Sequence, residues 1–322
     1  GGNPADLAGG VVAHGTGNIL LETRAPARDI ILNADVMSDT GHISVIAYDD
    51  VDQNADIATG GAGTVYVLAF NAFSVAVDGD NLDGIDMAAG TSTTSGGNIR
   101  LVADNEGDVL LGLVNAGNGA ADVSILAERN ILDNNGGGVI NVRARSLAME
   151  ADASISNAAN GVGRIGGSDL GNTPPNNANA IDTDVTTLAA RAAEGIYVLE
   201  LDSNTQDGLR IDDTGQIQVQ RVNFRSDTTT IPDPAHRLSD LRTTNNGAIK
   251  VVVAPTVMAA MNAQDLVVNE GGFGMPGGNP ADLAGGVVAH GTGNILLETR
   301  APARDIILNA DVMSDTGHIS VI

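Results

Sequence analysis

Aliphatic residues alternate with other residues over short stretches of this chain, following the template Gly-x-Φ-x-Φ-x-Ala, where Φ is aliphatic. Clear matches to the template are GNILLET from Gly17, RDIILNA from Arg28, GHISVIA from Gly41, GTVYVLA from Gly63, GNIRLVA from Gly97, ADVSILA from Ala121 and GVINVRA from Gly138. Later matches start at Gly195, Gly215 and Gly247. A period of two residues is typical of β-strands. The template therefore predicts a strand at each match.

The aliphatic positions of the template are expected to face a common core. They are Ile19, Leu21, Ile30, Leu32, Ile43, Val45, Val65, Val67, Ile99, Leu101, Val123, Ile125, Ile140 and Val142. Helical spacing occurs at one place, DVTTLAARAAEG at residues 184–195, where Asp184 could cap a helix and Gly195 could end it. Turn-forming stretches such as MSDTG and DNNGGG separate the strands.

A second, longer repeat is exact. Residues 1–46 recur letter for letter as residues 277–322, which sets a period of 276 residues. Such identity indicates tandem copies of one unit. We therefore divide the chain into a full unit, residues 1–276, and the start of the next unit, residues 277–322. We also expect the chain to be a segment of a longer polypeptide.

The spacing of the short matches, mostly 17–25 residues, selects among all-β architectures. A solenoid needs equivalent positions in every coil, whereas a sandwich does not. We predict a parallel β-helix with about a dozen rungs per 276-residue unit, or roughly 55–60 Å of axis at ~4.8 Å per rung. Side loops are expected near residues 166–180, 224–240 and 271–286, the last of these, GGFGMPGGNPADLAGG, at the boundary between units.

Composition supports a narrow interior and an acidic surface. Aromatic residues make up 2% of the chain, which has 41 Gly and neither Cys nor Trp. Stacked rows of small and branched aliphatic residues suit a flat core in which an indole would not fit. The formal charge is −24, and the second copy carries five acidic and two basic residues, which leaves −21 for the full unit. Nucleic acid and anionic lipid are disfavoured as partners because both need a basic surface.

The stretches GNILLET, RDIILNADV, GHISVIAYDDV, IDTDVTTLAARAAEGIYV and TTNNGAIKVVV resemble the repeats of filamentous-haemagglutinin-like, β-strand-repeat giant bacterial surface proteins. The resemblance covers roughly residues 15–145 and 180–255. It implies a right-handed parallel β-helix, export to the cell surface of a bacterium, and a role in adhesion, biofilm matrix or fibre formation.

Two acidic stretches are candidate calcium sites. In DDVDQNAD the residues Asp50, Asp52, Asn54 and Asp56 alternate, and in DGDNLDGID the acidic residues are Asp78, Asp80, Asp83 and Asp86. Alternation would place these oxygen atoms on one side of a strand, and oxygen ligands suit Ca²⁺. Solvated turn residues on an acidic rod explain the same pattern, and the spacing is not that of an EF-hand loop. We therefore expect no required cofactor, with calcium as the candidate ligand.

Motifs for catalysis are sparse. His14, His42 and His236 have no zinc-type spacing, and neither a Gly-x-Ser-x-Gly elbow nor a phosphate loop occurs. His42 is expected to be a solvated side chain on an outward strand position. A β-helix polysaccharide-active enzyme is a remote alternative, because acidic residues are abundant but aromatic platforms for sugars are scarce.

These observations favour a structural, non-enzymatic repeat of a giant extracellular fibre or cell-surface filament. Its expected partners are further copies of itself, in tandem and in neighbouring filaments, together with divalent cations, and membrane insertion is not expected. The main alternative is a cell-surface adhesin that binds a host or neighbouring-cell ligand through the inserts at residues 166–180 and 224–240.

Overall fold

The structure, a computed structural model, is all-β: apart from one short 3₁₀ turn at Gly117–Gly119, the regular elements of the described residues are strands. It describes residues 9–25, 28–70, 84–105, 107–151, 163–167, 179–201, 208–232, 238–254, 265–270, 285–300 and 304–322. Within these ranges, 28 strands belong to one sheet with parallel pairing, and two further strands form an antiparallel hairpin.

Three strands complete one rung of a solenoid, because each strand pairs in parallel with the strand three places further along the chain. The strands are numbered in chain order, and the first fifteen form three columns. Column A contains β1 (Gly9–Ala13), β4 (Asp35–Ser38), β7 (Ile57–Thr59), β10 (Ser92–Ser95) and β13 (Leu113–Ala116). Column B contains β2 (Ile19–Glu22), β5 (Ile43–Ala47), β8 (Val65–Ala69), β11 (Ile99–Ala103) and β14 (Val123–Ala127). Column C contains β3 (Ile30–Leu32), β6 (Val51–Gln53), β9 (Gly84–Met87), β12 (Asp108–Leu111) and β15 (Ile131–Asp133).

The pairing between strands changes in the middle of the unit, where one strand pairs with strands of two columns. The long strand β16 (Val142–Ala151) pairs with β13 through its first half and with β14 through its second half. The next strands are β17 (Arg164–Ile165), β18 (Ile181–Ala192), β19 (Gly195–Glu200) and β20 (Leu209–Ile211). Strand β18 stacks on β16, and β19 pairs with both β17 and the start of β18. Beyond β18, rungs of three strands resume. Their strands occupy positions that are shifted around the axis relative to columns A, B and C.

The stretch with helical spacing, residues 184–195, is not a helix. Most of it lies in β18, which pairs with β16 from Val142↔Thr183 to Glu150↔Arg191. The alternation of Leu188, Ala190 and Ala192 into the core follows the strand period. The pairing partner on the preceding rung therefore overrides the local helical spacing.

Regular rungs continue to the end of the chain. They contain β23 (Leu241–Thr243), β24 (Ala248–Val253), β25 (Leu266–Val268), β26 (Gly285–Ala289), β27 (Ile295–Thr299), β28 (Ile306–Leu308), β29 (Asp311–Ser314) and β30 (Ile319–Val321). Each again pairs with the strand three places away.

One narrow aliphatic core runs through the rungs. Its members are all Ile, Val, Leu, Ala or Met, and no aromatic residue of the described chain belongs to it. Of the predicted inward positions, Leu21 is half-buried against this core. Ile140 is the exception: it precedes β16 and packs in a separate cluster with Tyr197 and Val252. The prediction for Ile140 was wrong because the strand frame begins at Val142.

The unit has fewer rungs than the predicted dozen. Eight parallel pairings lead from β1 through β4, β7, β10, β13, β16, β18 and β23 to β26, the copy of β1. Eight steps correspond to about 38 Å of axis. The prediction failed because each rung contains three strands and three corners, together with inserted segments, and so uses more residues than one strand spacing indicates.

The predicted side loop at residues 224–240 contains part of a hairpin. Strands β21 (Gln218–Val222) and β22 (Thr228–Pro232) pair antiparallel, and the turn between them begins at Asn223. The predicted loops at 166–180 and 271–286 fall mainly on residues 168–178 and 271–284, which lie outside the described residues.

Candidate functional site: the seam between the repeats

The distinctive feature of the molecule is the seam at which the second copy begins. Strands β26, β27 and β28 are the copies of β1, β2 and β3, and they stack on β23, β24 and β25. The registers are Leu241↔Val287, Ile249↔Ile295 and Leu266↔Ile306. All three columns therefore continue from the last rung of one unit into the first rung of the next.

Backbone hydrogen bonds cross the seam in each column. The amide of Ile249 donates to the carbonyl of Asn294 at 2.8 Å, and the amide of Leu266 donates to Asp305 at 3.1 Å. In the remaining column the amide of His290 donates to the carbonyl of Thr243 at 3.3 Å. These distances match those within a unit, where Ile19 donates to His42 at 2.9 Å.

The two copies adopt the same local structure. The amide of His42 donates to Asn18 Oδ1 at 2.8 Å, and in the second copy the amide of His318 donates to Asn294 Oδ1 at the same distance. The register irregularity between Gly9 and Val11 against β4 also recurs between Gly285 and Val287 against β29. Identical sequence thus gives the same bonds at the first rung and at the seam.

Asparagine side chains form a ladder at one corner, and the ladder crosses the seam. Asn54 Nδ2 donates to Asn33 Oδ1 at 3.2 Å. Asn309, the copy of Asn33, donates through Nδ2 to Asn269 Oδ1 at 3.0 Å, and Asn269 donates to Asp212. The same asparagine therefore accepts a bond from the rung above it in one copy and donates to the rung below it in the other.

A column of glycines allows the rungs to stack closely at another corner. A Cβ atom on Gly41 would lie far inside van der Waals contact with the carbonyl oxygen of Gly17 on the rung below. The same clash would arise between Gly63 and Gly41 and, across the seam, between Gly293 and Gly247. The glycine that opens the sequence template is thus required by the close approach of backbone between rungs.

The side chains of the first rung are more exposed than the same side chains in its copy. Val11 in β1 is 38% exposed, whereas its copy Val287 at the seam is 0% exposed. Leu21 in β2 is half-buried, and its copy Leu297 is fully buried. The rung beneath accounts for the difference, because the two copies have the same sequence.

The predicted calcium ligands of the described chain make hydrogen bonds between rungs. Asp56 Oδ1 accepts from the amide of Ser92 at 2.7 Å and from Ser92 Oγ at 3.0 Å. Asp50 is 2% exposed, and its Oδ1 accepts from the amide of Gly84 at 2.6 Å. Asn54 belongs to the asparagine ladder described above.

Asp52 lies on β6 directly beneath Asp86 on β9, and burial raises the pKa of Asp86. Asp78, Asp80 and Asp83 lie outside the described residues. Within the ranges that the structure describes, no group of three or more His, Asp or Glu side chains is arranged to hold a metal ion. Calcium binding at Asp50–Asp56 stays a prediction.

His42 takes part in the stack of rungs and is only half-exposed. Its Nδ1 accepts from the amide of Thr64 at 3.1 Å, and burial lowers the pKa of the imidazole. The expectation of a solvated histidine therefore missed this contact, which the sequence did not signal.

The pKa of one buried carboxylate is strongly raised. Asp182 in β18 is 0% exposed, and its Oδ2 accepts from the amide of Gly138 at 2.6 Å. The pKa of Asp182 is raised to about 7, chiefly because the carboxylate is buried. The nearby charge of Asp133 also raises the pKa, and the hydrogen bond from Gly138 lowers it. Composition alone does not reveal this group, because Asp182 becomes buried only when the turn before β16 folds over it.

The β21–β22 hairpin covers the outer face of column B. The amide of Val222 donates to Ser44 Oγ and the amide of Gln220 donates to Thr64 Oγ1, both at 2.9 Å. Asn18 Nδ2 donates to the carbonyl of Ser226 at 3.0 Å, which places the turn of the hairpin beside the first rung. The hairpin therefore runs along the axis and holds successive rungs together from outside.

Apolar contacts under the hairpin complement these bonds. Val219 is 1% exposed and clusters with Ile46, Tyr66 and Val102 from three rungs of column B. At the turn, Phe224 is 70% exposed, and the guanidinium of Arg225 lies 5.1 Å from the centre of its ring.

No protein-family model, curated protein or solved structure matches the chain. Among the described segments, none forms a helix that is long and apolar enough to cross a membrane.

Proposed function

We propose that the chain is a structural, non-enzymatic repeat of a giant extracellular fibre or cell-surface filament. The observation that carries the proposal is the seam, where three columns of strands pass from one unit into an identical one without a change of register. A unit that ends in the conformation needed to start its copy can be repeated many times along one axis.

Mechanical resistance follows from the same arrangement. Backbone hydrogen bonds run along the axis in every column, so extension of the rod requires many bonds to break together. The acidic surface, −21 per unit, would keep neighbouring rods apart in low salt and would allow divalent cations to bridge them. The resemblance to giant bacterial surface proteins and the abundance of acidic residues support an extracellular location.

Electron microscopy of the native material tests this proposal. Regular filaments with an axial repeat of about 38 Å are expected if units stack as they do at the seam. Separate compact particles linked by flexible connections would contradict it.

A second candidate is adhesion through the hairpin turn. Phe224 and Arg225 form an exposed aromatic–cationic pair, and a cavity of about 400 Å³ lies between the turn and β2. Short rods bearing a ligand at one surface, with binding lost in Phe224→Ser, would favour adhesion over a purely structural role. Isothermal titration of candidate glycans and peptides provides the measurement.

A further inference from the structure

The turn that connects β15 to β16, residues 134–141, closes over a buried carboxylate. Its sequence is NNGGGVIN, and Gly136 and Gly138 have positive φ angles of 83° and 84°. This backbone brings the amide of Gly138 to 2.6 Å from Asp182 Oδ2, across a separation of 44 residues in sequence. Asp182 is 0% exposed, so the closed turn and the carboxylate depend on one another.

The other oxygen of this carboxylate is buried without compensation. Asp182 Oδ1 has no hydrogen-bond partner among the described residues. A buried carboxylate is costly as an anion when donors do not balance its charge. A proton on Oδ1 removes the charge and leaves Oδ2 able to accept the bond from Gly138.

A second carboxylate lies at the start of the same turn. Asp133 Oδ1 accepts from the amide of Asn135 at 2.8 Å and from Asn141 Nδ2 at 2.7 Å. The amide of Asp182 donates to Asn141 Oδ1 at 2.9 Å. The side chain of Asn141 therefore links the two aspartates, and the like charge of Asp133 adds to the cost of ionising Asp182.

The other charged groups on the surrounding strands have partners of their own. On β18 itself, Asp184 accepts from Arg143 Nε of β16 at 2.9 Å. On β19, Glu200 Oε2 accepts from a threonine hydroxyl of β18 at 2.7 Å. The turn contains no charged residue. Among the described groups, Asp133 is thus the charge that shifts the pKa of Asp182.

We propose that Asp133 and Asp182 form a proton-operated latch on the turn at residues 134–141. One proton held by the pair keeps the turn closed. When the pair loses this proton to the solvent, two like charges face each other in a buried site, and the turn opens to hydrate them. The latch is a pH-sensitive device within one unit and does not depend on the proposed function.

Opening of the turn would loosen the solenoid at one axial position in each unit. Asn135 Oδ1 accepts from the amide of Gly90 at 3.1 Å, and Asn141 Nδ2 donates to the carbonyl of Leu111 at 3.2 Å. Both bonds join the turn to earlier rungs. The turn also leads directly into β16, where the strand pairing changes. Loss of these bonds would therefore make the rod more compliant at this point as pH rises through about 7.

Hydrogen exchange at the amide of Gly138 measures opening of the latch. The pKa of Asp182 is raised from 3.8 to about 7 in the closed turn, so closure binds the proton and is lost as pH rises. After correction for the intrinsic exchange rate, the protection factor should fall about 30-fold between pH 5.5 and pH 8.5. The amide of Ile43, which donates to Thr64 at 3.0 Å in a regular rung, is the internal control and should stay protected.

Three substitutions test whether the response belongs to this pair. Asp182→Asn cannot ionise but can still accept from Gly138, so its protection should be the same at both pH values. Asp133→Asn removes the like charge, and its fall should be smaller than that of the unmodified chain. Asp227→Asn, at an exposed position on the hairpin, is the matched control and should respond as the unmodified chain does.

Constant protection of Gly138 in the unmodified chain would overturn the proposal. An equal fall in Asp182→Asn would also overturn it, because the turn would then open for a reason other than this carboxylate. If Asp182→Asn does not fold, Asp133→Asn decides, and a fall as large as that of the unmodified chain would contradict a latch formed by the pair.

Discussion

At the scale of single residues, the glycine that recurs at the start of the template has a steric cause. Gly17, Gly41 and Gly63 stack over one another at a corner, and the backbone of each rung occupies the space that a Cβ on the next would need. A serine or threonine hydroxyl reinforces this corner, as where Ser38 Oγ donates to the carbonyl of Gly17 at 2.7 Å. The corner thus depends on Ser38 as well as on the template glycines, although the sequence indicates Ser38 only as part of the turn-forming stretch MSDTG.

Alanine substitutions in the glycine column should distinguish a loss of stability caused by close stacking between rungs from one caused by local backbone conformation. Gly41→Ala should destabilise the fold by about 1–3 kcal/mol, because its Cβ meets a backbone carbonyl that cannot move independently of its rung. Gly17→Ala is the control, since its new Cβ meets chiefly Ala13 in the same rung. Urea unfolding of the two variants provides the comparison, and equal losses would contradict stacking at this corner.

Asp182 should make stability depend on pH in a definite direction. Its pKa is about 7 in the folded state, above the 3.8 of an exposed aspartate, so the folded chain binds the proton more strongly than the unfolded chain. The contribution of this group to stability is therefore present at low pH and is lost as pH rises towards 7.

In Asp182→Asn this loss between pH 5 and pH 7 should disappear. The difference in slope should approach about 1.4 kcal/mol per pH unit, the limit for one proton. Urea unfolding across this range measures the slope for each chain, and parallel slopes would show that Asp182 does not titrate as proposed.

At the scale of elements, period-two alternation was sufficient to identify most strands and their inward faces. Ile43, Val45, Val65 and Val67 lie in the core as predicted. The rung count was wrong because pairing partners cannot be read from spacing when each rung has three short strands. The helical spacing of residues 184–195 misled for a related reason: β16, whose pairing with β18 decides the conformation, lies about 40 residues away in sequence.

The hairpin was missed because its partner surface is far away in sequence. Thr64 and Gln220 are separated by 156 residues, and the template match from Gly215 predicts a strand in a rung and not one of an antiparallel hairpin outside the rungs. Tyr66, an outward residue of β8, becomes buried only under this hairpin. The sequence therefore indicated the rungs and the first strand of the hairpin, but not the position from which the hairpin clamps the rungs.

Loss of apolar contact under the hairpin should destabilise the rod. Val219→Ala removes two methyl groups at a 1% exposed site and should cost about 1–3 kcal/mol. Phe224→Ala at the exposed turn is the control and should change stability by less than about 0.5 kcal/mol. Thermal unfolding by circular dichroism compares them, and an unchanged Val219→Ala chain would contradict a clamping role.

Chelation should have little effect on the rungs around β6. Asp50 and Asp56 already accept backbone hydrogen bonds from neighbouring rungs, which fix them without a cation. We expect a negligible change in melting temperature on addition of EDTA. A large fall that is abolished in Asp52→Asn would instead establish a calcium site at this edge.

At the scale of the whole molecule, the seam shows how a unit that is irregular inside can be repeated exactly along one axis. The columns shift around the axis between β16 and β20, yet the rung formed by β23–β25 meets the second copy in the register used within the unit. The internal irregularity of a unit is thus compatible with a regular array. The long repeat could be recognised from sequence, whereas the shift of the columns required the structure.

Small-angle X-ray scattering of chains of increasing length tests this account most directly. Addition of one 276-residue unit to the present chain should lengthen the particle by about 38 Å. The cross-sectional radius of gyration should stay the same. A change in cross-section, or a rise in maximum dimension typical of separate bodies on a flexible connection, would contradict a single uninterrupted solenoid.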